Sequence, residues 1–369
     1  MIQSCFKDIK IIGISTAVPK NKEIISEKYN DVFGTDAVAQ FSKTTGVIER
    51  RVTLEKQTSS DLAFVAAEKL IAEKKVNRQE IGICIFVTQT PDYNIPATAC
   101  VLHKRLGLSK DCIAFDINLG CSGYVFGLQI VSSLMETTNC KQGLLLVGDT
   151  SNKRGVGGAG IGPNDSSAIM LFGEGGSATL LKKLEKADDI KTAYRTDGEG
   201  FKAIITPAGR ARNCRASHER VMWADGNERS DYDLYMNGVD VFSFTITEVP
   251  QMINEFVEAN NLDKEIFDCY SFHQANLYIL KQLIKKAKIP KDKLHISMDR
   301  YGNTSVTSIP LTLCDKYGEA NESIDRKIFS CGFGIGLSWG IATFTVNQAD
   351  IFPIIETDDY YTEGDVSHD

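Results

Sequence analysis

The chain has 369 residues, enough for about two domains of ordinary size, and its 43% apolar and 24% charged content excludes collagen-like, low-complexity and disordered classes. No run approaches the ~18 consecutive apolar residues of a membrane span. With 41 basic against 48 acidic residues the formal charge is −7, which makes nucleic acid a poor default partner.

The elements alternate along the chain. Asp8 to Ile14 reads as an opening strand closed by Pro19, and Ser60 to Glu73 as a helix capped at Ser-Asp. Ile81 to Thr88 is a continuous apolar run, the pattern of a strand buried on both faces. Ala97 to Leu106 reads as a helix, Ile113 to Ile117 as a short strand, Val125 to Thr137 as a helix and Gly143 to Val147 as a strand running into Gly148-Asp149-Thr150. Ile169 to Phe172 and Ser177 to Leu181 are predicted as strands flanking a glycine-rich turn. Glu185 to Asp233 is polar, irregular and rich in Arg. Val239 to Asn260 predicts a long helix broken or bent near Pro250. Phe267 to Phe272 is a strand ending at His273, Ala275 to Lys288 a helix, and Lys327 to Cys331 with Gly340 to Val346 closes a sheet. The rhythm implies an α/β fold with mainly parallel sheets, built from two similar halves.

The ten cysteines include no C-x-x-C pair, and the start MIQSCFKDIKIIGIST has no signal-peptide pattern. We read them as reduced thiols of a cytoplasmic protein. The five histidines have no ligand spacing, so no metal site is expected.

Three segments carry candidate chemistry. In Asp116-Ile117-Asn118-Leu119-Gly120-Cys121-Ser122-Gly123-Tyr124 a strand runs through small residues into a helix, which puts Cys121 at a helix N-terminus and favours a thiolate. The alternative is one more buried thiol among ten. In Ser271-Phe272-His273-Gln274-Ala275-Asn276 a histidine sits at a strand's carboxyl end, where open α/β folds bind ligands; the alternative is a packed structural His. Tyr301-Gly302-Asn303-Thr304-Ser305 read alone is a loop cap.

The order and flanks of these segments resemble the β-ketoacyl–acyl-carrier-protein synthase III family over roughly Ile9 to Val346. The likeness includes Thr45-Gly46-Val47-Ile48-Glu49-Arg50-Arg51, Phe172-Gly173-Glu174-Gly175-Gly176 and the closing run Gly332-Phe333-Gly334-Ile335-Gly336-Leu337-Ser338-Trp339-Gly340. It implies a thiolase-like fold, two duplicated α/β halves forming a layered α-β-α-β-α core, with residues 1–183 carrying the nucleophile, 184–349 carrying His and Asn, and 350–369 an acidic tail or edge cover. Cys121 matches the family's acyl-accepting nucleophile, and His273 and Asn303 its pair for decarboxylation and condensation with a malonyl-carrier thioester. Donors aimed at a developing oxyanion typically contribute ~3–4 kcal/mol each, so an amide and a neutral imidazole suit an enolate. The backbone N–H groups of Cys121 and Ile335 would form a second oxyanion hole.

The resemblance further implies an acyl-carrier protein partner, a homodimer with the site near its interface, and no metal, flavin or nicotinamide cofactor. Ile95 falls where the family places an acyl-pocket residue of the neighbouring subunit. Gln40 and Ser166 stand where relatives that use acyl-CoA carry Trp and Arg, which weakens CoA as the primer carrier, although CoA held by the segment with Lys202, Arg210, Arg212, Arg215 and Arg220 is an alternative. Lys281, Lys285 and Lys288 share one face of the helix after His273 and are candidates for docking the carrier, beside Tyr278 where the family usually has Arg.

Gly155-Val156-Gly157-Gly158-Ala159-Gly160 fits G-x-G-x-x-G, but Ile161-Gly162-Pro163-Asn164 follows where a dinucleotide site needs a helix, so NAD binding is rejected. Two other readings stay open: transfer of the acyl group from Cys121 to a hydroxyl or amine, and a non-catalytic carrier-binding partner subunit. The presence of both His273 and Asn303 favours condensation.

Overall fold

The structure is a computed structural model that describes residues 1–153 and 165–365. Its two large sheets are built from β1 (Ile2–Phe6), β2 (Ile9–Pro19), β3 (Ile81–Val87), β4 (Ile113–Ile117), β5 (Gln142–Asp149), β6 (Gly175–Lys183), β7 (Ile190–Thr196), β8 (Cys269–Phe272), β9 (Asp325–Gly334), β10 (Ser338–Asn347) and β11 (Ile355–Thr357). The first sheet runs β11-β2-β6-β5-β3-β4 and the second β1-β7-β10-β9-β8.

The two sheets repeat one pattern. In the first, β2 and β6 are antiparallel, as are β6 and β5, while β3 is parallel to both β5 and β4. In the second, β7 and β10 are antiparallel, as are β10 and β9, and β8 is parallel to β9. A parallel bridge from Tyr270 to Leu294 stands where the remaining strand would be. The chain termini cross over: β1 pairs with β7 in the second sheet, and β11 pairs with β2 in the first. The C-terminal segment is thus partly an edge strand.

Six helices cover the sheets: α1 (Ser59–Glu73), α2 (Thr98–Arg105), α3 (Gly123–Thr137), α4 (Gly238–Ala259), α5 (Leu277–Ala287) and α6 (Ser308–Tyr317). The two-residue period of a strand explains the layering. Ile83, Ile85 and Val87 of β3 face an inner core with Tyr124, Leu128 and Val131 of α3 and Ile309 and Leu313 of α6. Cys84 and Phe86, one residue out of step, face an outer core with Leu62, Ala66 and Leu70 of α1. Phe329 and Ile341 of the second sheet face α4 and α5 through Ile253, Phe256, Leu280 and Leu283. The order is helix, sheet, helix, sheet, helix. Each large apolar side chain buried this way contributes about 1.5–3 kcal/mol.

The sheets are mixed rather than mainly parallel, with antiparallel strands at the middle of each, and several local expectations are corrected as well. Ile169 to Phe172 is no strand: Ser166–Ile169 is a helical turn, and Phe172 makes only an isolated bridge to Asn303. α4 runs unbroken through Pro250, because the missing N–H removes one hydrogen bond while Val249, Met252, Ile253 and Phe256 stay buried. The irregular stretch after Glu185 contains the full strand β7. The cap of α1 is Thr58, whose side chain and that of Asp61 form a reciprocal capping box.

Candidate active site

Cys121 lies two residues before α3, on the turn that leaves β4. Glycines of the closing run pack onto that turn. A Cβ on Gly332 would stand 2.9 Å from Ser122 Cα, and one on Gly334 would stand 2.7 Å from Cys121 Cβ and 3.1 Å from its Sγ. Ser122 Oγ and Ser338 Oγ are 2.7 Å apart and tie the two segments together.

His273 follows β8, and its N–H donates to the Cys331 carbonyl at 2.9 Å. Its ring meets Phe333 edge-on at 5.4 Å between centroids. Asn303 is fixed from both sides. Its N–H donates to the Leu171 carbonyl at 2.9 Å, and its carbonyl accepts from the Gly173 N–H at 3.1 Å. Its side-chain Oδ1 accepts from the Ser305 N–H at 3.0 Å, which leaves Nδ2 as a donor, 3.4 Å from the Ala275 carbonyl.

The two shorter motifs build this cradle. The buried Arg50 guanidinium donates to the Phe172 carbonyl at 2.9 Å, to Tyr29 Oη and Glu23 Oε2 at 2.7 Å, and to the Ile169 carbonyl. Buried Glu174 accepts from the Thr53 N–H at 2.6 Å and the Asn152 N–H at 2.8 Å. A Cβ on Gly173 would lie 1.8 Å from the Tyr301 carbonyl oxygen, so no larger residue fits there. The Arg and Glu of these motifs brace the segment around Gly173 that binds the Asn303 backbone; neither lines the cavity.

Cys121, His273 and Asn303 line one cavity of about 950 Å³, its open mouth included, with Gln89, Thr90, Ser305 and Ile335 and the apolar Phe172, Ile204, Val241, Ile279 and Phe333. A groove through Arg210 adjoins it, sharing Gln89, Ile204, Leu234 and Ile335. Burial pushes the His273 imidazole down to about 4, partly offset by the Ser305 backbone, so the ring is neutral at pH 7.

The thiol departs from expectation. Burial, with the nearby Asp149 carboxylate, pushes Cys121 up to about 12, against hydrogen bonds from the Ser305 side chain and the Cys121 and Ile335 backbones. A helix N-terminus favours the anion by only about 0.3–1 kcal/mol, less than desolvation costs. Cys121 therefore rests as a thiol. The same two backbone groups, those of Cys121 and Ile335, converge on the sulfur.

Other expected residues lie elsewhere. Ile95 is 86% exposed and lines no part of the cavity within its own chain. Lys281, Lys285 and Lys288 are exposed on α5 and its C-cap, and Asn276 and Ile279 at the start of that helix line the cavity. Tyr278 is half-exposed and stacks on Phe242. Lys202, Arg210, Arg212, Arg215 and Arg220 are exposed, and Arg220 pairs with Asp233 at 3.2 Å. Gln40 is exposed and donates to Thr44. Gly155 to Gly160 lies outside the described residues. Gln89, Ser305 and Asp149 had no role assigned from sequence; the only signal was their place at strand ends or beside Asn303.

Comparisons with known proteins point to one family. Family models described as 3-oxoacyl-[acyl-carrier-protein] synthase III and its C-terminal part match residues 115–198 and 257–346. A Clostridium perfringens protein named β-ketoacyl-[acyl-carrier-protein] synthase III is 32% identical over 337 residues, 91% of this chain and 98% of the relative. A Campylobacter jejuni protein named putative 3-oxoacyl-[acyl-carrier-protein] synthase 3 is 32% identical, covering 94% of this chain and 96% of its own. The crystal structure of a 3-oxoacyl-(acyl-carrier protein) synthase from Burkholderia xenovorans superposes with a TM-score of 0.89 at 34% identity, covering 96% of this chain and 99% of that one. With its duplicated thiolase-like halves and this degree of likeness, the chain belongs to the β-ketoacyl–acyl-carrier-protein synthase III family.

Proposed function

We propose that the chain is a condensing enzyme that loads an acyl group from a thioester onto Cys121 and joins it to a malonyl-carrier thioester with loss of carbon dioxide. The observation that carries this is the meeting of Cys121, His273, Asn303 and the Ile335 backbone on one largely apolar cavity. In the first half-reaction the Cys121 sulfur attacks the thioester carbonyl and the donor thiol leaves. The Cys121 and Ile335 N–H groups are the donors for the tetrahedral oxyanion.

In the second half-reaction the malonyl carboxylate leaves as carbon dioxide, and its electron pair passes into an enolate. A neutral His273 and the Asn303 Nδ2 donate to that oxygen. Two carboxylates in their place would repel it. The enolate carbon attacks the acyl-Cys121 carbonyl, the C–S bond breaks, and the sulfur takes one proton from solvent. No resident metal or cofactor enters these steps.

We further propose a homodimer. β4 is a sheet edge with no neighbour beyond it among the described residues, and it exposes Ile113 and Phe115. An unpaired apolar edge is a template for a second copy, and 86%-exposed Ile95 then becomes an interface residue that can reach the partner's acyl pocket. α5 lines the cavity at its start through Asn276 and Ile279, and the exposed lysines further along it suit an acidic carrier. The ten free thiols fit a reducing compartment, and we place the enzyme in the cytoplasm.

Intact-protein mass spectrometry after incubation with a panel of acyl thioesters tests this reading. An adduct on the wild type that is lost in Cys121→Ala is expected, followed by release of labelled carbon dioxide from malonyl-carrier. Undiminished acylation of the variant refutes it. Acylation without carbon dioxide release points instead to transfer onto a hydroxyl or amine.

A further inference from the structure

The mechanism leaves one step without an agent. Cys121 rests as a thiol held well above neutral pH, and the His273 ring is held too far below it to be an effective base. One buried carboxylate lies close by. Asp149, the last residue of β5, is 2% exposed. Its Oδ1 accepts from the Gln89 N–H at 2.7 Å and from the hydroxyls of Thr88 at 3.1 Å and Thr90 at 3.5 Å. Its Oδ2 is buried and closes no hydrogen bond. A buried carboxylate oxygen without a partner is costly, and one beside a reactive group calls for an explanation.

Ser305 borders both groups: it lines the cavity with Cys121, and its turn packs against the strand that ends at Asp149. Ser305 lines the cavity beside Cys121 and holds the left-handed conformation, φ 49°, unusual for a residue other than glycine. That backbone also donates to Asn303 Oδ1. One strained residue thereby joins the nucleophile, the enolate donor and the buried acid.

We propose that Asp149 accepts the Cys121 proton through the Ser305 hydroxyl during acyl transfer. This rests on the reading of Cys121 as the acyl acceptor. The Cys121 S–H proton passes to the Ser305 oxygen as the Ser305 O–H proton passes to Asp149. The S–C bond to the acyl carbon forms, and the bond from that carbon to the donor sulfur breaks. Asp149 returns the proton through Ser305 to the departing thiolate, so acids and bases end as they began. Burial raises Asp149 to about 6, which keeps it ionised at neutral pH and poised as an acceptor. The ionisable groups around this path are Cys121 and His273 on the cavity, Glu174, which is committed to Thr53 and Asn152, and Lys153, which donates to the Leu54 and Glu55 carbonyls. Thr88, Gln89, Thr90 and Ser305 are neutral.

The test is single-turnover acylation of Cys121, followed by intact mass from pH 5 to 9, beside carbon dioxide release from malonyl-carrier. The wild-type acylation rate is expected to rise through a limb near pH 6. Asp149→Asn keeps the Oδ1 acceptor and is expected to lose that limb and to slow acylation about 100-fold at pH 7.5, while the variant first acylated to completion releases carbon dioxide from malonyl-carrier as fast as the acylated wild type. Ser305→Gly, which tolerates the positive φ, is expected to lose the same limb. A wild-type limb and rate in Asp149→Asn overturn the proposal. So does an equal loss of both half-reactions with the limb intact, which is the signature of a structural role. A wild type that forms no adduct on Cys121 refutes the proposed function, and this inference with it.

Discussion

Asp149 also makes a quantitative statement about stability. Its carboxyl rises from 3.8 to about 6 because burial outweighs the hydrogen bonds that its Oδ1 accepts from Gln89, Thr88 and Thr90. A folded-state value above the unfolded one means that the protonated form supports the fold. That support is complete below the unfolded value of 3.8 and is lost as pH rises through about 6. At about 1.4 kcal/mol per pKa unit, the buried anion costs about 3 kcal/mol above pH 6. Asp149→Asn removes this cost and keeps the Oδ1 acceptor, while its new amide must find a partner in Ser305. A net gain of about 2 kcal/mol is expected at pH 8 and none at pH 4. Thermal unfolding by circular dichroism across that range is the assay, with the midpoint rising a few degrees at pH 8. A variant less stable than the wild type at pH 8, or equally stabilised at pH 4 and 8, refutes the reasoning. A carboxylate that weakens the fold and speeds the chemistry is the trade expected at a functional site.

Gly334→Ala places a methyl 2.7 Å from Cys121 Cβ, so the nucleophile's turn must shift; a loss of about 1–3 kcal/mol and slower acylation are expected, read by thermal midpoint and intact mass. Because burial holds His273 at about 4, carbon dioxide release should be flat from pH 6 to 8 and fall only as the imidazolium forms near pH 4; a limb near 6.5 would contradict the neutral donor. Reversing charge at Lys281 and Lys285 should raise the KM for the carrier about tenfold at low salt, and an unchanged KM would make that face merely solvated. Ile95→Glu should shift the sedimentation profile from dimer to monomer, and an unaltered dimer would place the interface elsewhere.

The alternation of strands and helices was legible because the physics is local. Cys84 and Phe86 face one core and Ile83 and Ile85 the other, so β3 had to read as an unbroken apolar run. Gly120 before Cys121, and His273 at the end of β8, marked turns at strand ends for the same reason. Ile190 to Thr196 carries no strand signature because Lys191 and Arg195 break its apolar pattern while β1 and β10 supply its partners from far along the chain. Ile169 to Phe172 looked like a strand because its apolar residues fill a small core with Tyr29 and Val38, which alternation alone cannot tell from a sheet face.

By itself the sequence determined the layered fold, the strand-end positions of the sulfur and the imidazole, and the family resemblance that joined them to the carboxamide. Only the tertiary structure decided their state. The acidity of a thiol sums over everything packed around it, and the neighbours that set it for Cys121 come from β5, the Ser305 turn and the loop after β9. Proximity between residues so far apart in the chain has no periodicity to announce it, and burial, unlike pattern, exists only once the chain has closed on itself.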